Sequence, residues 1–212
     1  MDRVELCREK MEELFGGKPV TTEGNDPEFM RILQRFIFGE VCYLGSLDNK
    51  MRELITITVL AVNQTLPQLA SHTAACLHVG ATPIEIREVI YQCAPFIGFP
   101  KTLNAIATID QVFEQQGISL PLESQETVTE ETRLEEGRKL QEHKTRELLI
   151  LVLLAALGGA DLQVYSHAIG AIRAGNAKEE VLCALLHGMP YMGFPRFLNA
   201  LNAIKPVLEE EE

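Results

Sequence analysis

Two glutamate and histidine pairs recur along the chain, Glu53 with His72 and Glu147 with His167. An arginine precedes each glutamate (Arg52, Arg146), and a glutamine stands four residues before each histidine (Gln68, Gln163). Histidine can give or take a proton near neutral pH, and a carboxylate beside it can orient the ring. A histidine and a glutamate so paired suit general acid–base chemistry. Each member also has a plain structural reading: a histidine satisfied in the core, an Arg-Glu pair at a helix end, a surface glutamine. The recurrence singles them out, because packing alone explains the repetition of apolar residues but not of these.

The pairs belong to an internal duplication. APFIGFPKTLNAI (Ala94 to Ile106) returns as MPYMGFPRFLNAL (Met189 to Leu201) at a constant offset of 95, which also aligns His72 with His167 and Glu85 with Glu180. Upstream, RELITITVLAV from Arg52 faces RELLILVLLAAL from Arg146 at an offset of 94. RLEEGR (Arg133 to Arg138) resembles RVELCR (Arg3 to Arg8) at an offset of 130, so the second copy lacks about 35 residues that correspond to Asp26 to Gly45. The boundaries that follow are a first repeat over 1–117, an acidic connector turning helical over 118–145 (after about Thr129), and a second, shortened repeat over 146–212.

Helices must position these residues. ELITITVLAV has the β-branched content of a strand, yet its partner LLILVLLAAL is rich in Leu and Ala and reads as a helix. If the copies share a fold, both are helices, apolar on nearly every side and therefore central or at a subunit interface. Thr82-Pro83-Ile84-Glu85 has the residues of a capping box, and Gly98 followed by Pro100 ends one helix and opens the next. Asn176 is the expected cap in the second copy, and Asn104 and Asn199 are expected to satisfy backbone groups near a helix start. Glu53 should lie ~15 Å before the end of its helix near Asn63, and His72 only ~7 Å into the next. In a hairpin of parallel-sided helices they would miss each other, so contact requires a crossing angle or a neighbouring subunit.

Composition narrows the partners. A chain of 212 residues with 46% hydrophobic and 23% charged residues can bury a substantial core. Its formal net charge of −11 argues against nucleic acid and gives an anionic substrate no long-range attraction, so such a ligand would need a local cationic pocket. The amino-terminal stretch is charged throughout, and the longest apolar run, Leu148 to Ala160, is short of the ~20 residues of a bilayer span. A cytoplasmic protein that engages neither membrane nor nucleic acid is expected. The cysteines Cys7, Cys42, Cys76, Cys93 and Cys183 have neither metal-site nor redox-motif spacing and read as buried free thiols, so no metal is expected.

The pattern REL…SH…G…E…P..GFP..LNA, present over Arg52 to Ile106 and again over Arg146 to Ile204, resembles the carboxymuconolactone decarboxylase family, which includes AhpD-like proteins. The resemblance implies an all-α fold of tandem AhpD-like helical repeats, which we expect to be related by a pseudo-two-fold axis. It also implies a homo-oligomer. Single-copy relatives are implied to be hexamers, and one tandem chain replaces two subunits, so a trimer is expected. The peroxidase branch would require CxxCxxxH, but Thr65 and Gln68 stand at the cysteine positions before His72, and Ala160 and Gln163 before His167. The decarboxylase branch is implied to need no cofactor. A small carboxylated or lactone substrate would be the partner, His72 the proton donor, Glu53 its orienting group, and Arg52 and Gln68 substrate-binding residues. His167 and Glu147 would do the same in a second copy that completes the oligomer or is degenerate. The alternatives are a redox protein using Cys76 or Cys93 and a non-catalytic binding or scaffold protein.

Overall fold

The computed structural model describes residues 2–17, 26–125 and 143–209. Among the described residues, all regular secondary structure is helical. The first repeat runs through α1 (Arg3–Phe15), α2 (Pro27–Gly39), a 3-10 turn (Val41–Tyr43), α3 (Asn49–Asn63), α4 (Leu66–His78), α5 (Pro83–Ile97) and α6 (Phe99–Gln115). The second holds α7 (Lys144–Leu157), α8 (Asp161–Arg173), α9 (Lys178–Met192) and α10 (Phe194–Glu209). The RLEEGR segment and the expected helical turn after Thr129 lie outside the described residues.

The two apolar segments form the centre. Every residue of α3 from Arg52 to Val62 and of α7 from Glu147 to Ala156 is buried, and the two helices pack against each other. A helix satisfies its own backbone groups, which permits it to pass through a dry interior on all sides. The threonines in ELITITVLAV fit because their hydroxyls also turn inward: Thr56 Oγ1 donates to the Arg52 carbonyl at 3.0 Å and Thr58 Oγ1 to the Leu54 carbonyl at 2.8 Å. Tertiary burial overrides the strand propensity of this segment.

The remaining contacts are reciprocal. Helix α9 of the second repeat packs on α3, and α5 of the first packs on α7; α4 packs on α6 as α8 packs on α10. The two repeats therefore use equivalent surfaces toward each other, the arrangement a two-fold relation produces. The symmetry breaks at α2 and the 3-10 turn, which with α1 build a second small core of Cys7, Met11, Leu14, Ile37, Phe38 and Cys42 on the first repeat.

Local signals set the helix ends. Asp48 caps α3 by accepting from Met51 N at 2.7 Å, and Thr82 and Glu85 form a reciprocal capping box at the start of α5. The second repeat departs from expectation. Asn176 does not cap α9; its amide donates to the Lys144 and Ala171 carbonyls, each at 2.9 Å. Ala177 stands where the offset of 95 places the partner of Thr82. It has no side-chain acceptor, so only the Glu180 half of the box remains, at 2.7 Å to Ala177 N. Asn104 also differs, donating to the Gln64 side chain at 2.9 Å rather than to the backbone.

Candidate functional site

Helices α3 and α4 cross within one chain closely enough to join the first pair. The turn between them is tight: Gln64 takes a left-handed conformation with φ 57°, and Pro67 falls in the first turn of α4. His72 Nδ1 lies 2.7 Å from Glu53 Oε2, and the same geometry recurs at His167 and Glu147 at 2.8 Å. No neighbouring subunit is needed for either contact. With Nδ1–H donated to the carboxylate, Nε2 is the ring nitrogen left to exchange a proton.

The surroundings of the pairs differ. The Glu53 and His72 side chains are 1% and 10% exposed, whereas the His167 side chain is 29% exposed. The His72 ring is held edge-on between Phe15 of α1 and Tyr191 of α9, each at a centroid distance of 5.6 Å. The first pair thus receives one wall from α1 of the first repeat and another from the second repeat. Tyr191 is a functional candidate that reading the sequence missed. Its buried hydroxyl makes no well-aligned hydrogen bond; burial and then the Glu53 carboxylate push the phenol well above its ordinary range, with the neighbouring Thr56 side chain acting the other way. At the offset of 95, Phe96 stands in its place in the first copy, so comparison of the repeats could have flagged the added hydroxyl.

Arg52 has a different position from the one its type suggested. It is 3% exposed, and its guanidinium donates to the Leu47 carbonyl at 2.9 Å, the Leu44 carbonyl at 2.6 Å and the Val41 carbonyl at 3.4 Å. A further N–H meets His187 Nδ1 at 3.3 Å. Four of its five N–H donors are spent on the chain itself, so it clamps the 41–47 segment and has little left for a substrate carboxylate. The arginine also fixes the His187 tautomer: Nδ1 must accept, so Nε2–H donates to Thr56 Oγ1 at 3.1 Å. Burial, then the Arg52 and His72 charges, depress His187 to about 3. Gln68, one turn before His72, lies exposed, and so does Gln163 before His167.

All five cysteines are buried and free. Burial raises the Cys42 and Cys93 thiols to about 12 and Cys76 well above its usual value, with the Glu53 carboxylate adding to the effect on Cys76. These thiols are held protonated, which works against nucleophilic or redox use. Among the described residues, no helix is long and apolar enough to cross a membrane, and no three His, Cys, Asp or Glu side chains cluster as a metal site would require.

Fold and site together define a tandem helical protein with one buried and one more open Glu/His pair. A family model described as the carboxymuconolactone decarboxylase family matches residues 27–111 and 134–206, and the chain belongs to that family. It is 33% identical over 92 residues to a 4-carboxymuconolactone decarboxylase of Acinetobacter baylyi, an alignment covering 43% of this chain and 69% of the relative. It is 27% identical over 93 residues to a nitrosuccinic acid decarboxylase of Metarhizium robertsii, covering 44% of this chain and 62% of the relative. An uncharacterised protein of Paracoccus denitrificans is 35% identical over 81 residues, with 37% and 60% covered.

Proposed function

We propose that the chain is a decarboxylase of a small carboxylated lactone or related acid, with the Glu53–His72 pair as its proton-transfer group. The observation that carries this reading is the 2.7 Å contact that leaves His72 Nε2 as the exchanging nitrogen in an enclosed, aromatic-walled site. Two similar proteins are named for loss of carbon dioxide from small acids, one a carboxylated lactone and one a nitro acid. Both substrates carry their own electron sink, a conjugated carbonyl or a nitro group. When the bond to the carboxylate carbon breaks, its electron pair enters that sink as a dienolate or nitronate and carbon dioxide leaves. Protonation of the carbanionic carbon by His72 Nε2–H completes the reaction, and Glu53 stabilises the imidazolium that donates. This sequence asks the protein for a proton and for polar stabilisation of a developing oxyanion. Tyr191, beside His72 with its phenol protonated, is a donor of the right type. Arg52 is a positioning residue through its hold on residues 41–47, and Gln68 is an exposed polar group one turn before His72.

The second pair supports a lesser role. Phe96 stands at the Tyr191 position, and His167 is more open to water. In this reading the second repeat completes the first site and the assembly, and the chain associates as a homotrimer in the cytoplasm.

The test is steady-state decarboxylation of 4-carboxymuconolactone and of nitrosuccinate by the full chain. His72→Ala should abolish turnover, and Glu53→Gln should lower it by about 10²–10⁴, with helix content unchanged. His167→Ala should retain most activity. Full activity in His72→Ala overturns the mechanism, and loss of activity in Cys76→Ala with the fold intact would favour a thiol-based one.

A further inference from the structure

A cleft of about 450 Å³ lies between α1 and α2, apart from both Glu/His pairs. Its apolar floor is Val4, Cys7 and Met11, which share one face of α1 at helical spacing. Around it stand Arg8 from α1 and Arg31 and Arg35 from α2, with Glu12 the one acid among the described residues that line it.

The arginines are the unusual feature. The chain carries 30 acidic residues against 19 basic ones, yet among the described residues no carboxylate lies within ion-pairing distance of Arg31 or Arg35. Among the same residues, Arg8 reaches only Glu5, at 4.0 Å. Arg31 and Arg35 sit one turn apart, where like charges repel along a helix. Arg35 is half-buried, and its charge reaches the Cys7 thiol on the floor, lowering a value that burial raises. Three arginines thus line an apolar hollow, and among the described residues two of them, Arg31 and Arg35, have no ion-paired carboxylate.

We propose that this cleft binds a small organic carboxylate, its charged end held by Arg31 and Arg35 and its carbon skeleton laid on Val4, Cys7 and Met11. Guanidinium forks match carboxylates in two-bond geometry, and the floor rewards a carbon chain that an inorganic anion lacks. The volume suits a metabolite, not a polymer. Because the whole chain is strongly negative, attraction acts at short range and weakens as salt rises. The cleft shares no residue with the Glu53–His72 pair. It connects to it through α1, whose Phe15, one turn beyond Met11, rests against His72. The proposal does not depend on the chain being a decarboxylase.

Isothermal titration of the full chain with adipate, a six-carbon dicarboxylate, tests it, with inorganic phosphate as the comparison. Adipate should bind, and Arg31→Gln and Arg35→Gln should each weaken it about tenfold or more, the loss expected for one charge-assisted hydrogen bond. Arg35→Lys, which keeps the charge but loses the fork, should fall between. His72→Ala should bind as the wild type does, which separates this site from the proposed catalytic one. Absence of binding, binding unchanged in both Gln variants, or binding lost in His72→Ala overturns the proposal. Phosphate binding as tightly as adipate, with the same dependence on Arg35, overturns the assignment to organic carboxylates.

Discussion

At the scale of single residues, the first site is set by which groups lack partners and which are fully engaged. The Tyr191 hydroxyl is buried with only a poorly aligned approach to the Thr56 side chain, so Tyr191→Phe removes an incompletely satisfied polar group. The melting temperature of this variant should hold or rise, while kcat on an accepted substrate falls about tenfold or more as an oxyanion donor is lost. A fall in melting temperature with unchanged kcat would assign the phenol a structural role instead. His187 is the opposite case, with both ring nitrogens engaged. Its folded value of about 3 lies below the ~6.5 of an unfolded chain, so between these pH values the unfolded state binds the additional proton. Stability should therefore be full above about pH 6.5 and decline on acidification by up to about 1.4 kcal/mol per pH unit. His187→Gln, which copies Gln92 at the equivalent position, should flatten that decline between pH 7 and pH 5 in urea unfolding. Equal slopes in both proteins would remove His187 as the cause.

At the scale of elements, the loop before α3 decides how the first repeat meets the second. Gly45 adopts φ 68°, and a Cβ there would fall 1.8 Å from Cys183 Sγ and 2.9 Å from Cys183 Cβ on α9. Both the backbone conformation and the close approach demand glycine. Gly45→Ala should cost about 2 kcal/mol or more in unfolding free energy and loosen the carbonyls that hold Arg52, with activity falling alongside. Cys183→Ala should not restore it, because the clashing Cβ remains. The repeats made much at this scale readable: the capping box, the Gly-Phe-Pro restarts and the helical state of α3 follow from aligned residues. The role of Asn176 was misread because the residue type suggests a cap, whereas the repeat offset places Ala177 at the capping position.

At the scale of the whole molecule, the duplication leaves matched apolar residues on the outside. Phe99 and Leu103 on α6 are 76% and 62% exposed, and their counterparts Phe194 and Leu198 on α10 are 58% and 50% exposed. Equivalent exposed pairs on both repeats are what a ring of tandem chains would cover. Light scattering should give about three times the chain mass of 23.6 kDa, and Leu103→Lys with Leu198→Lys should shift it toward one chain. A monomer mass for the unmodified protein at micromolar concentration would exclude the trimer. The sequence by itself determined the duplication, the helical class and the recurrence of a Glu and a His in each copy, because repeated polar residues and cap signals are local properties of the chain. Only the tertiary structure decided that Glu53 and His72 meet within one chain, that Arg52 turns inward and that Tyr191 arrives from the other repeat. Those outcomes depend on how α3 and α4 cross and on which carbonyls the extra segment brings to the guanidinium, and neither crossing angle nor long-range hydrogen bonding is written in residue spacing.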